Sequence, residues 1–342
     1  MTNSLLRQIT AQLLDPKDNY GELFQAVNNM YEMFIKASGM EADSSSGNSS
    51  DIYLQNGKAI GTAWAALCVK EIMRTKRFVQ GMYEGIKAAK EKFKGTPIHI
   101  VYAGTGPFAT LAVPMTTLFT SKEINFTFLE INKESIRLLE NVIKAFQIDD
   151  YVNEIVQCDA TAYKYDKDKP IHMVVSETMQ NALQKEPQVA ITMNLAKQMD
   201  RDGIFIPQNI AVEAVLLHPG RSMERMMSQD VYKEKYYHSL STVFEVNKDI
   251  INTYDIPDMP CEKFIFPEKV VDIPQDIEAG FDDLCLFTRI YVFGDIYLDY
   301  WSCSLTMPKK LEAIGREKSI PQKAVFRYEV SEKPGFQYSL KA

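Results

Sequence analysis

An alternation of apolar strands and helices between residues 98 and 177 constrains the fold of this chain more than any other feature. Strand-like runs read IHIVYA (98–103), INFTFLE (124–130), NEIVQC and IHMVVSE (171–177), and the amphipathic run SIRLLENVIKAF separates the second from the third. Strands that are joined through helices run parallel, and the helices then cover both faces of the sheet. The segment therefore predicts an α/β, Rossmann-like fold.

The region before this segment is helical in pattern. Apolar residues recur at three- and four-residue steps over residues 5–14 and 23–35, and a third such pattern runs from residue 60 to about 90. Between them, EADSSSGNSSD (41–51) has too little apolar surface to fix a conformation, and it predicts a flexible link or a mobile lid. We therefore expect N-terminal helices and a flexible segment ahead of the parallel sheet.

The region after Gly203 is rich in β-branched and aromatic runs, and helical patterns are scarce there except over residues 223–237. Six closely spaced runs without crossover helices favour a mainly antiparallel barrel or sandwich. The boundary is expected near Pro207. The sequence thus divides into N-terminal helices with a flexible link (1–59), a Rossmann-like domain (60–206) and a β-barrel-like domain (207–342).

Charge and cysteine content exclude several classes of protein. A net charge of −7 and a pI near 5.3 argue against general binding to nucleic acid or to anionic membranes. Five scattered cysteines without a CxxC pattern predict neither a disulfide framework nor a metal site, and they fit a reducing cytoplasm. The N-terminus lacks the pattern of a signal peptide, and no run approaches the length of a membrane span. We expect a soluble, cytoplasmic protein.

The turn AGTGPFA (103–109) follows the first predicted strand and is expected to open a helix. Gly104 and Gly106, on either side of Thr105, let the backbone turn sharply and approach a ligand closely, and a helix N-terminus would offer unpaired amide donors. As GxGxxA, the turn also fits a dinucleotide fingerprint. The turn predicts a cofactor site without deciding which cofactor binds there.

Two acidic residues follow the next two strands. Glu130, at the end of the second strand, is placed to accept hydrogen bonds from ribose hydroxyls, which occurs in both dinucleotide and S-adenosylmethionine (SAM) folds. Asp159, in the turn after the third strand, is a candidate acceptor for an adenine amino group; the alternative is an Asx-type cap on its own loop. Both are expected to bind the cofactor.

Glu177 and Glu186 stand nine positions apart in VVSETMQNALQKE, at the end of the last apolar strand. A guanidinium is charged at any physiological pH and presents its donors as a rigid fork, so two carboxylates can hold it from two sides without leaving an unpaired charge. The pair predicts an arginine-like substrate, with Glu177 and Glu186 as the catalytic residues.

Taken together, these segments resemble the protein arginine N-methyltransferases. The resemblance lies in AGTG after the first strand, an acid closing the second, SExM with a second Glu nine positions on, and GIFIPQNIAVEAV opening the β-rich tail. Upstream, EIMRTKRF (71–78) is similar to the family's DxxRTxxY helix. The resemblance implies a SAM-dependent methyltransferase domain, SAM as the cofactor, Arg74 on the SAM carboxylate and Met179 beside the substrate.

The resemblance also implies an assembly. By analogy with the family, residues 223–237 would form a dimerisation arm in a homodimer, and the N-terminal helices would close over the bound cofactor. The sequence departs from the family at Thr178 and Gln180, where an aromatic residue and a glycine are usual, and in lacking the Thr-His-Trp signature. The nearest counterpart is Asp299-Tyr300-Trp301, in which Trp301 is a candidate to stack on a guanidinium.

The function expected is SAM-dependent N-methylation of the guanidinium of an arginine, whether free, in a peptide or in a protein. Three alternatives remain open. A small-molecule N- or O-methyltransferase fits the same fold, an NAD(P)-dependent oxidoreductase fits the GxGxxA turn, and a non-catalytic SAM-fold module fits the missing Thr-His-Trp signature.

Overall fold

The computed structural model describes residues 2–41, 50–165, 170–228, 233–314 and 321–342. Helices α1 (Thr2–Leu14) and α2 (Tyr20–Ser38) form the N-terminal region. The Asn19 side chain accepts from the Glu22 amide at the start of α2, and Phe34 on its apolar face packs 5.4 Å from Phe108 and 5.9 Å from Phe146 between ring centroids. Most of the predicted flexible segment, residues 42–49, lies outside the described residues.

The helical pattern predicted from residue 60 to 90 is broken rather than continuous. A short hairpin, β1 (Ile52–Leu54) and β2 (Gly57–Ala59), precedes it. The pattern then divides into α3 (Thr62–Leu67), a 3₁₀ turn (Cys68–Lys70) and α4 (Ile72–Lys92). Glu71 separates the turn from α4 with an extended backbone, φ −75° and ψ 96°, so the prediction of one helix is wrong at this point.

A parallel sheet follows and confirms the predicted α/β class. Its described strands are β3 Ile98–Ala103, β4 Ile124–Glu130, β5 Val152–Gln157, β6 Met173–Ser176 and β7 Ile204–Ile206. They are ordered β5-β4-β3-β6-β7, and all adjacent pairs are parallel. Helix α5 (Lys133–Phe146) connects β4 to β5, and α6 (Gln188–Leu195) lies between β6 and β7. All six residues of β3 are buried, which is expected of a strand covered on both faces.

The glycine turn after β3 does not open an α-helix, contrary to the expectation. Residues 106–112, all of them described, form consecutive turns, and a 3₁₀ helix follows at Val113–Thr117. Ala109 has φ +43°, which an α-helix cannot contain. Pro107 has no amide hydrogen and therefore adds no donor to the turn. The ready-made row of helix N-terminal donors that the sequence predicts is therefore not formed here.

Two antiparallel sheets make up the tail, as predicted. Their described strands are β8 Asn209–Leu217, β9 Tyr237–Val246, β10 Phe264–Ile265, β11 Lys269–Asp272, β12 Asp283–Phe293, β13 Ile296–Leu298, β14 Lys309–Ala313, β15 Lys323–Val330 and β16 Gly335–Lys341. In the first sheet, the strands are ordered β13-β12-β8-β9, and β14 pairs with β12 on the edge that β13 also uses. In the second, β15 pairs with β16 on one edge and with β10 and β11 on the other.

Aromatic packing joins the two sheets into a barrel-like body. Phe244 of β9 stacks on Tyr328 of β15 with ring centroids 4.6 Å apart, and Phe266 contacts Phe244 edge-on at 4.9 Å. The helical pattern at 223–237 is shorter than predicted, because α7 (Pro219–Met227) ends well before Tyr237, which begins β9. A short helix, α8 (Lys248–Ile251), follows β9. The switch from parallel to antiparallel pairing falls between β7 and β8, on either side of Pro207, and the domain boundaries stay predictions.

Helix α4 is pressed against strand β12 at Gly81. A Cβ atom added there would lie 2.3 Å from Cγ1 and 3.0 Å from Cβ of Val292. Valine is branched at Cβ and stiff at χ1, so it cannot turn away from an added methyl group. The close contact of α4 with the tail therefore depends on a glycine at position 81.

We expect Gly81→Ala to destabilise the protein by about 1–3 kcal/mol through overpacking, although alanine is the better helix former by roughly 1 kcal/mol. Urea unfolding measures the difference. The matched control is Gly21→Ala in α2, where an added Cβ meets only the Asn19 side chain at 3.6 Å. Equal stability of the two variants would contradict the packing argument.

Candidate active site

The predicted cofactor residues converge at the carboxyl ends of the parallel strands. The Gly104 turn follows β3, Glu130 ends β4, Asp159 follows β5 and Glu177 follows β6. The chain leaves β3 for β4 on one side and returns to β6 on the other, and such a switch point opens a crevice for a ligand. These residues line one cavity, here called the inner pocket, with Ala65, Val69, Tyr102, Leu129 and Thr178 among its other walls.

The glycine turn is shaped by two positive φ angles, +72° at Gly104 and +59° at Gly106. A Cβ at Gly104 would lie 2.3 Å from Cγ2 of Thr178, so the turn and the acidic segment after β6 touch at van der Waals distance. Thr105, between them, is buried and also lines the inner pocket. Any side chain at position 104 would both strain the backbone and displace Thr178.

Glu130 is fixed in place by backbone amides. Gly106 N–H donates to its Oε2 and Asn132 N–H donates to its Oε1, both at 2.8 Å. Burial raises the pKa of Glu130, while these amide bonds act in the opposite direction. The Ile131 amide and the Thr105 hydroxyl also interact with this carboxylate and lower its pKa. The structure thus places a buried, amide-anchored carboxylate in the inner pocket.

Asp159 lines the same pocket, and it also caps its own loop. Its Oδ1 accepts from the amide and from the hydroxyl of Thr161, each at 2.8 Å. This is the Asx-type arrangement that the sequence left as an alternative. The cap uses one carboxylate oxygen, and no described residue donates to Oδ2, so the two roles are compatible.

Arg74 and Glu177 form a buried ion pair at the centre of the site. Arg74 is 8% exposed, and its Nη2 donates to Oε2 of Glu177 at 2.8 Å. Its Nη1 donates to Oε1 of Glu71 at 3.0 Å, and Glu71 in turn accepts from the amide and hydroxyl of Ser304. Burial raises the pKa of Glu177, and the guanidinium of Arg74 opposes that rise. Oε1 of Glu177 is also buried and lies 2.7 Å from the same Nη2, as an ion-pair contact outside hydrogen-bond geometry.

Glu186 lies beside this ion pair, and its carboxyl group has a pKa near neutrality. It is 7% exposed, and burial together with the negative charge of Glu177 raises its pKa to about 7. A hydrogen bond from Gln180 and the charges of Arg74 and Lys58 only partly offset this rise. The structure therefore brings the two predicted catalytic carboxylates together, one paired with an internal guanidinium and the other poised to lose or gain a proton near neutral pH.

The loop between the two carboxylates has an unusual backbone. Ala182, Leu183 and Lys185 have φ angles of +54°, +53° and +66°, a region that non-glycine residues rarely adopt. Such conformations persist where the surrounding structure over-determines them, and they concentrate at functional sites. The conformation of this loop therefore depends on contacts with the structure around it.

Contacts from the tail and the N-terminal hairpin hold this loop. The Ala182 amide donates to Oγ1 of Thr288 in β12 at 2.8 Å, and the Tyr328 hydroxyl in β15 donates to the Leu183 carbonyl at 2.6 Å. The Lys185 amide donates to the Pro334 carbonyl, while its own carbonyl accepts from the Lys58 amide in β2 at 2.9 Å. The antiparallel sheets thus serve as the frame on which the acidic loop is fixed.

A second cavity, here called the outer pocket, lies on the other side of the acidic residues. Lys58, Ile60, Cys68, Arg74 and Glu186 line both pockets, so the two cavities adjoin at these side chains. Other residues that line the outer pocket are Asp51, Trp64, Leu67, Glu71, Met179, Gln180, Asn181, Ser304 and Leu305. Met179, a predicted substrate contact, is among them.

Trp301 is not among the described residues that line either pocket. It packs in an aromatic cluster with Tyr236, Tyr237 and Tyr300 against Phe287, and it adopts φ +66°. The predicted stacking of Trp301 on a guanidinium therefore has no support in the geometry. Sequence reasoning missed Lys58, Trp64 and Cys68, although the spacing of Trp64, Leu67 and Cys68 at i, i+3 and i+4 marks one helix face.

Within the described part of the chain, no group of three His, Cys, Asp or Glu side chains is arranged to hold a metal ion. Among the helices described, none combines the length and the apolar character needed to cross a bilayer.

Comparison with models of known protein families gives no match, and comparison with curated protein sequences gives none either. Among solved structures, the fold is similar to a chain of the Trypanosoma brucei PRMT1 enzyme-prozyme heterotetrameric complex with AdoHcy. The TM-score is 0.49 and the sequence identity 13%, over 80% of this chain and 96% of that chain. A similarity this low does not bear on function, which rests on the geometry of the site.

The raised pKa of Glu186 predicts a dependence of stability on pH. A carboxyl with a folded-state pKa of about 7 and an unfolded value near 4.5 binds more protons when folded, so its contribution to stability falls as pH rises between those values. Glu186→Gln removes this titration. We expect the free energy of unfolding of the variant, relative to the original protein, to increase between about pH 5 and about pH 8.

Urea unfolding at several pH values measures this change. The control is Glu91→Gln, which removes a carboxylate whose side chain is 80% exposed. A pH-independent difference between Glu186→Gln and the original protein would show that Glu186 titrates normally.

Proposed function

We propose that this protein is a SAM-dependent N-methyltransferase that acts on the guanidinium of an arginine. The observation that carries the proposal is the junction of the two pockets at Arg74 and Glu186, directly beside Glu177. A group-transfer enzyme must hold two substrates so that their reacting atoms meet while water is excluded. Two cavities that adjoin at buried carboxylates meet this requirement for a cationic acceptor.

The inner pocket suits SAM better than a nicotinamide dinucleotide. A dinucleotide site in this fold holds a pyrophosphate on free amides of a helix N-terminus at the glycine turn. Here no α-helix begins in residues 104–112, and the Gly106 amide already donates to Glu130, whose carboxylate would repel a pyrophosphate beside the turn. The same carboxylate favours a ribose diol. These features support SAM and weigh against the oxidoreductase alternative.

SAM would be held by side chains from each strand end. Glu130 would accept from its ribose hydroxyls, and Asp159 would accept from its adenine amino group. Arg74 would bind its carboxylate, because an arginine has five N–H donors and the contacts with Glu71 and Glu177 occupy two of them. When bound, SAM supplies a methyl group that is activated for displacement by its sulfonium.

The acidic residues complement a cationic acceptor. When ionised, Glu71, Glu177 and Glu186 carry three negative charges, and Arg74 offsets one of them. Oε1 of Glu177, which contacts Nη2 of Arg74 at 2.7 Å without a hydrogen bond, and the weakly neutralised Glu186 are the acceptors that we propose for an entering guanidinium. A planar cation with several donors satisfies both carboxylates at once.

The chemical role of the two carboxylates follows from the acceptor. The lone pair of a guanidinium nitrogen is delocalised into the cation, which makes it a poor nucleophile. By accepting from the other N–H groups, Glu177 and Glu186 would orient the guanidinium and draw positive charge away from the attacking nitrogen. With a pKa of about 7, Glu186 is also matched to receive the surplus proton after methylation.

A homodimer is part of the proposal. Helix α7 presents Met223, Met226 and Met227 at i, i+3 and i+4, and they are 65%, 57% and 77% exposed. An apolar stripe of this kind on a surface helix supports a role in association.

We expect Glu177→Gln and Glu186→Gln each to lower turnover at least about a hundredfold, because each removes an anion that faces the developing charge. SAM binding should persist in both variants. Glu91→Gln, at an exposed position, serves as the matched control and should retain full turnover. The measurement is transfer of labelled methyl from SAM to free arginine, an arginine-containing peptide pool and agmatine, read by mass spectrometry. Undiminished turnover in either site variant would refute the assignment.

Calorimetry separates the cofactor classes. We expect the protein to bind SAM and not NAD, and Glu130→Ala to weaken SAM binding at least about tenfold through the loss of charge-assisted hydrogen bonds. Because Glu130 also holds the Gly106 and Asn132 amides, the unfolding curve of the variant must be recorded alongside. Tighter binding of NAD than of SAM would favour the oxidoreductase alternative.

A further inference from the structure

One helical turn separates the inner pocket from the outer pocket. Ala65, Cys68 and Val69 line the inner pocket, whereas Trp64, Leu67 and Cys68 line the outer one. Each set has the spacing i, i+3, i+4, which places its members on one face of a helix. Helix α3 and the 3₁₀ turn that follows it therefore form a partition, and Cys68 lies where the two faces meet.

The two faces of this partition differ in size and exposure. The inner face carries a small alanine and a buried valine, which leave room for a ligand. The outer face carries Trp64, 59% exposed, and Leu67, 41% exposed. A large apolar surface that borders a pocket and remains open to water is more typical of a binding surface than of folding alone.

The outer pocket combines this apolar wall with a charged end. Glu186 is buried at the junction with the inner pocket, and Met179 and Leu305, each 2% exposed, add apolar surface to the lining. A ligand that fits such a lining has a cationic head and an apolar stem. An arginine side chain has this form, because three methylene groups separate its guanidinium from the backbone.

We propose that Trp64 is a specificity-determining residue whose indole packs on the aliphatic stem of the acceptor while Glu186 holds the guanidinium. The inference rests on the proposed function and deepens it, since it concerns the part of the acceptor behind the reacting group. Trp64 would then have the role that was predicted for Trp301, which instead packs in the aromatic cluster of the tail.

Loss of the contact between Trp64 and the acceptor stem should change KM rather than kcat. Packing on the stem is present both before and during methyl transfer, so its loss raises KM and leaves kcat nearly unchanged. With an arginine-containing peptide, we expect Trp64→Ala to raise KM about tenfold, the effect of removing one large apolar contact, with kcat changed less than about twofold. Trp64→Phe, which keeps an aromatic ring, should restore most of the affinity.

Two comparisons make the effect specific. Phe24→Ala is the matched control, because Phe24 is 60% exposed on helix α2 and is absent from the described linings of both pockets. Methylguanidine is the matched acceptor, because it has the head group without the stem. Trp64→Ala should leave kcat/KM for methylguanidine within about twofold of the original protein.

Fluorescence gives a readout that does not depend on turnover. The chain has two tryptophans, Trp64 and Trp301, so Trp64→Phe leaves Trp301 as the sole emitter. In the presence of AdoHcy, titration with an arginine-containing peptide should change the emission of the original protein. The same titration should leave the emission of Trp64→Phe unchanged.

The outcomes are distinguishable. If the original protein methylates the peptide and Trp64→Ala has the same KM, or if the emission change survives in Trp64→Phe, the role of Trp64 is overturned while the proposed function stands. If the original protein methylates none of the acceptors offered, the proposed function fails and the role of Trp64 fails with it. A raised KM confined to acceptors with a stem supports both.

Discussion

The buried ion pair between Arg74 and Glu177 is the interaction on which the arrangement of the site depends. It joins α4 to the segment after β6, and Glu71 extends it to Ser304 of the tail. A buried pair of this kind contributes little net stability, but removing one partner leaves an uncompensated charge and is costly. Its value here is positional, because it holds the Glu177 carboxylate in the inner pocket, beside the junction with the outer pocket, and the Arg74 guanidinium opposes the rise in pKa that burial causes.

The tail has a related role. Three left-handed residues between Glu177 and Glu186 are compatible with folding because β12, β15, the Pro334 turn and the β2 hairpin all bond to that loop. Contacts with the antiparallel sheets thus offset the backbone strain of this loop, and the strained loop places Glu186. Close packing of α4 on β12 through Gly81 gives the same rigidity to the Arg74 side of the site. The antiparallel sheets of the tail therefore hold both carboxylates, Glu177 through Arg74 on α4 and Glu186 through the loop.

Sequence reasoning succeeded where chemistry or periodicity is local. Strands β3 and β4 begin and end at the predicted residues. Glu130 and Asp159 could be nominated because each closes or follows a strand-like run, and Glu177 and Glu186 because two nearby carboxylates suit a planar cation. It failed where one backbone angle determines the secondary structure, as at Ala109, whose positive φ prevents the expected helix. It also failed for contacts between residues far apart in the sequence, because packing decides them. The ion pair of Arg74 with Glu177, 103 positions away, is one example. The position of Trp64, rather than Trp301, beside the outer pocket is another.

The raised pKa of Glu186 links these elements to the chemistry. In the free protein, burial and the charge of Glu177 hold its pKa near neutrality. A cation that enters beside it favours the ionised form, so binding of a guanidinium and release of a proton are coupled. Near neutral pH the ionised fraction of Glu186 is then greatest when the acceptor is in place, and a base becomes available for the proton that methylation makes surplus. Burial makes the ionised form of Glu186 unfavourable in the empty site. For the same reason, the filled site favours an acceptor that carries a positive charge.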